Sequence, residues 1–349
     1  MFFASDNAGP AHPSVMQAMV DANAGYAMPY GVDPIMEQVR DKIRTLFDAP
    51  DAAVYLVATG TAANALTLAT LCDPWQTVFC TPESHIHQDE CNAPEFYSGG
   101  AKLTLVPATD AKMTPDSLRA TIAGEETRGV HGPQRGPVAI TQATERGTIY
   151  TCDEIAALAR VAKSFDLPVH LDGARFANAL VALGCAPADM TWKAGVDAVS
   201  FGGTKNGCAG VEAVVFFNPA HAWQFELRRK RGAHLFSKHR YLSAQMNAYL
   251  TDDLWLDLAA KANGNCARLA DGLRGIAGVS LLHDPQANTV FAEFPRAMHQ
   301  KLHDAGAVYY VWSGELAGED ADEILQARMV CDWSLDGAKV DEFLDVLRG

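Results

Sequence analysis

VDAVSFGGTKNGCAG, residues 196–210, runs from an apolar strand into two glycines, a threonine and Lys205. A lysine in so tight a turn of small residues is poorly placed as a solvated surface charge. Partial desolvation there favours the free amine over the ammonium, which is the form a lysine needs to add to a carbonyl. The competing reading is a structural lysine, and the flanking segments have to decide between them.

Just upstream, LPVHLDGARFANA (167–179) ends a second apolar run on Asp172, followed by Gly173, Ala174 and Arg175. Further apolar runs precede and follow: AVYLVA (53–58), TVFC (77–80), KLTLVP (102–107), PVAITQA (137–143) and EAVVFF (212–217). Several are continuous rather than alternating, as expected of strands buried on both faces of a mostly parallel sheet. Helical patterns lie between them: TAANALTLATL (61–71), TPDSLRATIA (114–123) and CDEIAALARVAKSF (152–165). Strand and helix alternating in this way predict an α/β layered domain over 51–250. Residues 1–50 read as an arm with two helices, 219–275 as nearly continuous helix, and 251–349 as a smaller α+β domain.

In an open α/β sheet, ligands bind beyond the carboxyl ends of the strands, where Asp172 and Lys205 fall. Asp172 there either keeps a ring nitrogen protonated or caps the next helix. ATGTAANA (58–65) opens a helix with small residues, either an anion cup or a strand–helix turn capped by Thr61. It has neither the lysine of a Walker loop nor a GxGxxG fingerprint, so ATP and NAD are disfavoured. PESHIHQDECNAPEF (82–96) places His85 and His87 beside acids around a predicted helix, with Glu90 one face away. A metal site there lacks further ligands, and His87 reads as a surface residue. Arg328, read as starting a late strand in ARMVCDW (327–333), is either a carboxylate clamp or a surface residue.

Composition narrows the partners. The chain carries a formal charge of −14, which argues against nucleic acid or anionic membrane. Hydrophobic residues make up 48% and charged ones 20%, enough for a large core without disorder. No secretory signal and no bilayer-spanning run is evident, and the eight scattered cysteines read as reduced thiols of a cytoplasmic protein.

Taken in order, these motifs resemble the fold-type-I pyridoxal-phosphate enzymes, and the whole chain resembles the low-specificity L-threonine aldolases of the beta-eliminating lyase group. The resembling segments are ASDN (4–7), YGVDP (30–34), GTAAN (60–64), SHIHQDE (84–90), ITQATERGTIY (140–150), HLDGARFANA (170–179), FGGTKNG (201–207) and ARMVCDW. The resemblance implies pyridoxal 5'-phosphate on Lys205, Asp172 at the pyridine nitrogen, His85 stacked on the ring, and Gly60 with Thr61 on the phosphate. It also implies Arg175 near the cofactor hydroxyl and substrate, Ser5 and Arg328 on the substrate carboxylate, and Tyr30 lining this site or a neighbouring subunit's. Cleavage of L-threonine, L-allo-threonine or a bulkier relative such as phenylserine follows from it. So does a homotetramer with shared sites, in which Arg229, Lys238 or Arg240 reaches a partner's phosphate. Family members carry histidine and asparagine where this chain has Glu145 and Arg146. The base acting on the substrate hydroxyl is therefore left open between His85 and Glu145.

Overall fold

A computed structural model describes all 349 residues. Seven strands form the main sheet: β1 Ala53–Val57, β2 Gln76–Cys80, β3 Lys102–Leu105, β4 Gln134–Thr141, β5 Val169–Gly173, β6 Ala198–Gly202 and β7 Glu212–Phe216. Their spatial order is β1-β7-β6-β5-β4-β2-β3. Only β7 runs against its neighbours, so the mostly parallel sheet is as expected. The continuous apolar runs follow from the two-residue period of a strand. Val54 and Leu56 enter one core, while Ala53, Tyr55 and Val57 enter a second core on the opposite face. The valine and leucine side chains among them, fully buried, each contribute roughly 1.5–3 kcal/mol.

The helices that matter here are α1 Pro13–Asp21, α2 Pro34–Leu46, α3 Gly60–Leu71, α4 His85–Gln88, α5 Cys152–Lys163, α6 Phe176–Leu183, α7 Ala222–Arg231, α8 Arg240–Tyr249, α9 Leu254–Arg274 and α10 Gly337–Arg348. Residues 62–69 of α3 are all buried, because this helix is covered on every side. The region 219–275 is not one near-continuous helix but three, α7 to α9. Ala233 breaks it first and Asp252 with Asp253 break it again, all three at positive φ.

A second sheet, β8 Ser280–Leu281, β9 Thr289–Pro295, β10 Tyr310–Ser313 and β11 Ile324–Val330, is antiparallel in the order β8-β9-β11-β10. It packs with α9 and α10 around a separate core. The N-terminal arm belongs there too: Phe3 is fully buried in that core, and its backbone bonds Val308 and Val330. From Phe3 the chain crosses to the main sheet, where the His12 N–H donates to the Gly207 carbonyl at 2.8 Å. The arm thus straps the two cores together directly over the carboxyl ends of β5 and β6.

Those ends approach very closely. A Cβ on Gly202 would lie 2.4 Å from the Ala174 carbonyl oxygen, which is backbone and cannot swing aside. Gly202→Ala is therefore expected to destabilise the fold by about 3 kcal/mol, the upper range for overpacking. Urea unfolding of the two proteins would read it as a lower midpoint at unchanged slope.

Candidate active site

The carboxyl ends of β2, β4, β5 and β6 deliver His85, Glu145, Asp172 and Lys205 to one cleft of about 770 Å³ and a narrower recess beneath it. Ser5, Arg175 and Arg328 line the cleft, and Gly60 and Asn64 line the recess. A separate hollow of about 580 Å³, bounded by residues of α1, α8 and α9, has no lysine, arginine or histidine in its lining.

Lys205 sits on the 3-10 turn Thr204–Asn206 that follows β6. Its Nζ has no hydrogen-bond or ion-pair partner in the chain. Burial, then the charge of Arg175, lowers its pKa and so favours the free amine. Behind the turn, the buried carboxylate of Glu212 accepts from the Gly203 N–H at 2.7 Å, and burial pushes its own pKa up to about 7. The sequence reading of EAVVFF as a plain strand missed this anchor.

Asp172, at the end of β5, accepts from the Ala174 N–H at 3.0 Å and from Asn64 Nδ2 at 2.8 Å. It does not cap the next helix: α6 has Arg175 at that position and no side-chain cap bond. Arg175 instead turns to Asp6 of the arm, donating twice at 2.7 and 3.0 Å, and Asn288 Nδ2 donates to the same Asp6 at 3.1 Å. Burial opposes the Arg175 charge, but the Asp6 carboxylate more than offsets it and raises the guanidinium pKa. Asp6 lies in the ASDN segment but escaped notice because nothing in the sequence near it marks its partner, 169 positions away.

His85 begins α4, a single turn that Asp89 ends by leaving the helical region; Cys91 and Asn92, at positive φ, separate it from a second short helix, Ala93–Ser98. Its Nδ1 bonds the fully buried Glu90 at 2.8 Å, so Glu90 is its direct partner rather than a residue one face away. That bond raises the His85 pKa against the opposing effect of burial. The His85 backbone N–H donates to Glu145 Oε1 at 2.7 Å, leaving Oε2 of that carboxylate without a partner. Burial pushes the Glu145 pKa up to about 7. His87 is exposed.

At the head of α3, Thr59 and not Thr61 is the cap, its hydroxyl accepting from the Ala62 N–H at 3.2 Å. The N–H groups of Gly60 and Thr61 have no acceptor in the chain, and a Cβ on Gly60 would meet nothing within 4 Å. Arg328 lies well inside β11 rather than at its start, since that strand begins at Ile324. It faces the cleft over the Trp312 ring, 5.8 Å from its centroid, with no ion-pair partner, and burial followed by Arg175 lowers its pKa to about 10. Ser5 reaches the cleft from the arm, and its Oγ accepts from the Asn7 N–H.

Tyr30 does not line the cleft of its own chain. It is half-exposed on the outer surface, 4.9 Å from the Lys230 ammonium. Of the three basic residues left open, Arg229 is buried against Tyr55 and donates to the Leu56 carbonyl at 3.3 Å, Arg240 donates to the Gly25 carbonyl, and Lys238 is exposed.

A planar aromatic aldehyde bearing a phosphate fits these groups. Free helix N–H donors meet its anion, a buried carboxylate its ring nitrogen, an unpaired amine its carbonyl, and an imidazole stands at the cleft wall. Comparison with known proteins agrees. The chain is 41% identical to the low specificity L-threonine aldolase of Pseudomonas aeruginosa, over 99% of this chain and 96% of that protein. It is 40% identical, over the same shares, to the enzyme of that name from a Pseudomonas species. The solved structure of Leishmania major threonine aldolase matches with a TM-score of 0.92 at 26% identity, covering 99% of this chain and 98% of that one. Residues 3–296 match the beta-eliminating lyase family, and the chain belongs to it.

Proposed function

We propose that the chain is a pyridoxal-phosphate-dependent low-specificity L-threonine aldolase. It cleaves L-threonine, L-allo-threonine and related L-3-hydroxy-α-amino acids to glycine and an aldehyde. The observation that carries this reading is the unpaired Lys205 amine in a cleft that also holds Asp172, His85 and the unpaired Arg328. Purified protein treated with the cofactor and then borohydride should carry a stable adduct on Lys205, and untreated holoenzyme should release acetaldehyde from threonine. A protein that gives no adduct would remove the basis of the assignment.

The geometry supports the following residue roles. Lys205 would hold the cofactor through its free amine and give up that bond to the substrate amine. Arg328 and Ser5 take the substrate carboxylate, which fixes rotation about the Cα bonds and sets the Cα–Cβ bond for cleavage. When bound, the cofactor supplies a conjugated cationic ring that accepts the electron pair left on Cα. Asp172 would hold that ring nitrogen in its protonated form. Glu145 Oε2 takes the β-hydroxyl proton, because His85 is committed to Glu90 and held towards its cationic form. The Cα–Cβ pair would be left on Cα as the aldehyde carbonyl forms; a proton from solvent would then complete glycine, and Glu145 would return its own proton to solvent.

Arg328→Lys keeps the charge but loses the paired donors of the guanidinium. It is expected to raise KM for threonine by roughly 10–100-fold while changing kcat much less, the pattern of lost ground-state binding. Steady-state kinetics on both proteins would check it.

Tyr310 and Trp312 at the cleft mouth favour bulkier side chains as well. Relative kcat/KM for phenylserine and threonine measures that preference. Self-association into a tetramer with shared sites is supported by the exposed apolar row Tyr26, Met28, Tyr30 and Val32. No helix is long and apolar enough to cross a membrane. All eight cysteines are unbridged, which supports a cytoplasmic setting.

A further inference from the structure

Between Asp172 and His85 lie two buried residues to which the reaction gives no task, Asn64 and Glu90. Asn64 is 2% exposed and the Glu90 side chain 0%, so neither is held in place by water. One nitrogen, Asn64 Nδ2, donates to Asp172 Oδ2 at 2.8 Å and to Glu90 Oε1 at 2.9 Å. The same Glu90 oxygen meets His85 Nδ1 at 2.8 Å. A continuous chain of hydrogen bonds therefore runs Asp172–Asn64–Glu90–His85. It joins the carboxylate assigned to the ring nitrogen with the imidazole assigned to the ring face.

The amide is oriented at a cost. Asn64 Oδ1 is buried without a partner, and the opposite orientation would aim it at two carboxylate oxygens. Its two N–H bonds are thus used where they separate two buried acids that would otherwise compete for one proton.

We infer that Asn64 is a positioning residue that holds Glu90 as the carboxylate, and that through Glu90 it keeps His85 as the cation at the wall of the cleft. The inference rests on the reading of the cleft as a pyridoxal-phosphate site. It assigns Asn64 and Glu90 no contact with substrate. The charged groups that face His85 are Glu90, Asp172 and Lys205, with Glu145 on its backbone N–H; those that face Glu90 are His85 and Asp172. Removing Asn64 leaves all of these in place and withdraws only the two donors. The Glu90 carboxylate then becomes more basic and takes the proton from His85.

The test uses the cofactor-free full-length protein, labelled with nitrogen-15 at histidine and titrated by NMR, with His85→Asn identifying the signal. In the wild-type protein the His85 midpoint lies above 6.5, the ordinary imidazole value. In Asn64→Ala it falls by about one pH unit, a tenfold change in the proton equilibrium. Asn64→Leu keeps the branched shape of the side chain and lacks the donors, and it lowers the midpoint equally, which separates lost hydrogen bonds from lost packing. Unchanged His85 titration in either folded variant overturns the inference, and so does a wild-type midpoint restored by leucine. Because these readings need no cofactor, they stand apart from borohydride trapping on Lys205, whose failure would strike the parent reading alone.

Discussion

Replacing Lys205 by alanine is expected to lower aldehyde release from L-threonine at least about a thousandfold, within the range for loss of a covalent or proton-transferring group. The effect is large because no other amine can take its place. Lys205 is the only lysine lining the cleft or its recess, and the arginines there remain protonated. The variant should fold, since the side chain bonds nothing in the chain and the turn beneath it is held by Glu212 on the Gly203 N–H. Mass spectrometry after borohydride treatment gives a second, activity-independent reading, with the cofactor adduct present in the wild type and absent from the variant. Steady-state turnover at the wild-type rate in Lys205→Ala would overturn the assignment of this residue.

Much of this was legible in the sequence, and the reason is local. The strands were recognisable because the apolar runs of the inner strands are buried on both faces, the edge strand β3 being the partly exposed exception, and Lys205 and Asp172 stood out because they end such runs. The clefts of open α/β sheets lie at those ends, so two residues were enough to place the site. What the sequence hid was long-range or geometric. Asp6 matters through Arg175, and Asn64 through two acids far apart in sequence, one at the end of β5 and one in the loop after α4. Glu212 looks like an ordinary strand residue until the turn it supports is seen. The continuous helical pattern over 219–275 gave no sign of its breaks, because they depend on Ala233, Asp252 and Asp253 adopting positive φ, a conformation that composition alone does not announce. Tyr30, carried by the YGVDP segment, lies outside its own chain's cleft.

Glu145→Gln is expected to lower kcat by roughly 10²–10⁴-fold, the usual contribution of a general base. The sign of the accompanying pH effects can be worked out. Burial places the Glu145 pKa at about 7, and a base must be ionised, so wild-type kcat should rise as pH increases through about 7. In the glutamine variant that limb disappears. If it persists near the same pH, His85 and not Glu145 accepts the hydroxyl proton. Stability moves in the opposite direction. A carboxyl whose folded pKa is raised gives its full stability below the unfolded value of about 4.3, and loses it as pH rises through about 7. Glutamine keeps an oxygen for the His85 N–H and carries no charge, so the variant should resist urea better than the wild type at pH 8 and show no such advantage at pH 4. A slower yet more stable enzyme at pH 8 would mean that the buried acid is held ready at a cost to the fold. Equal stability at pH 8 would mean that the charge is solvated by the open cleft, and the acid limb of the rate profile would then move down towards the ordinary carboxylate range.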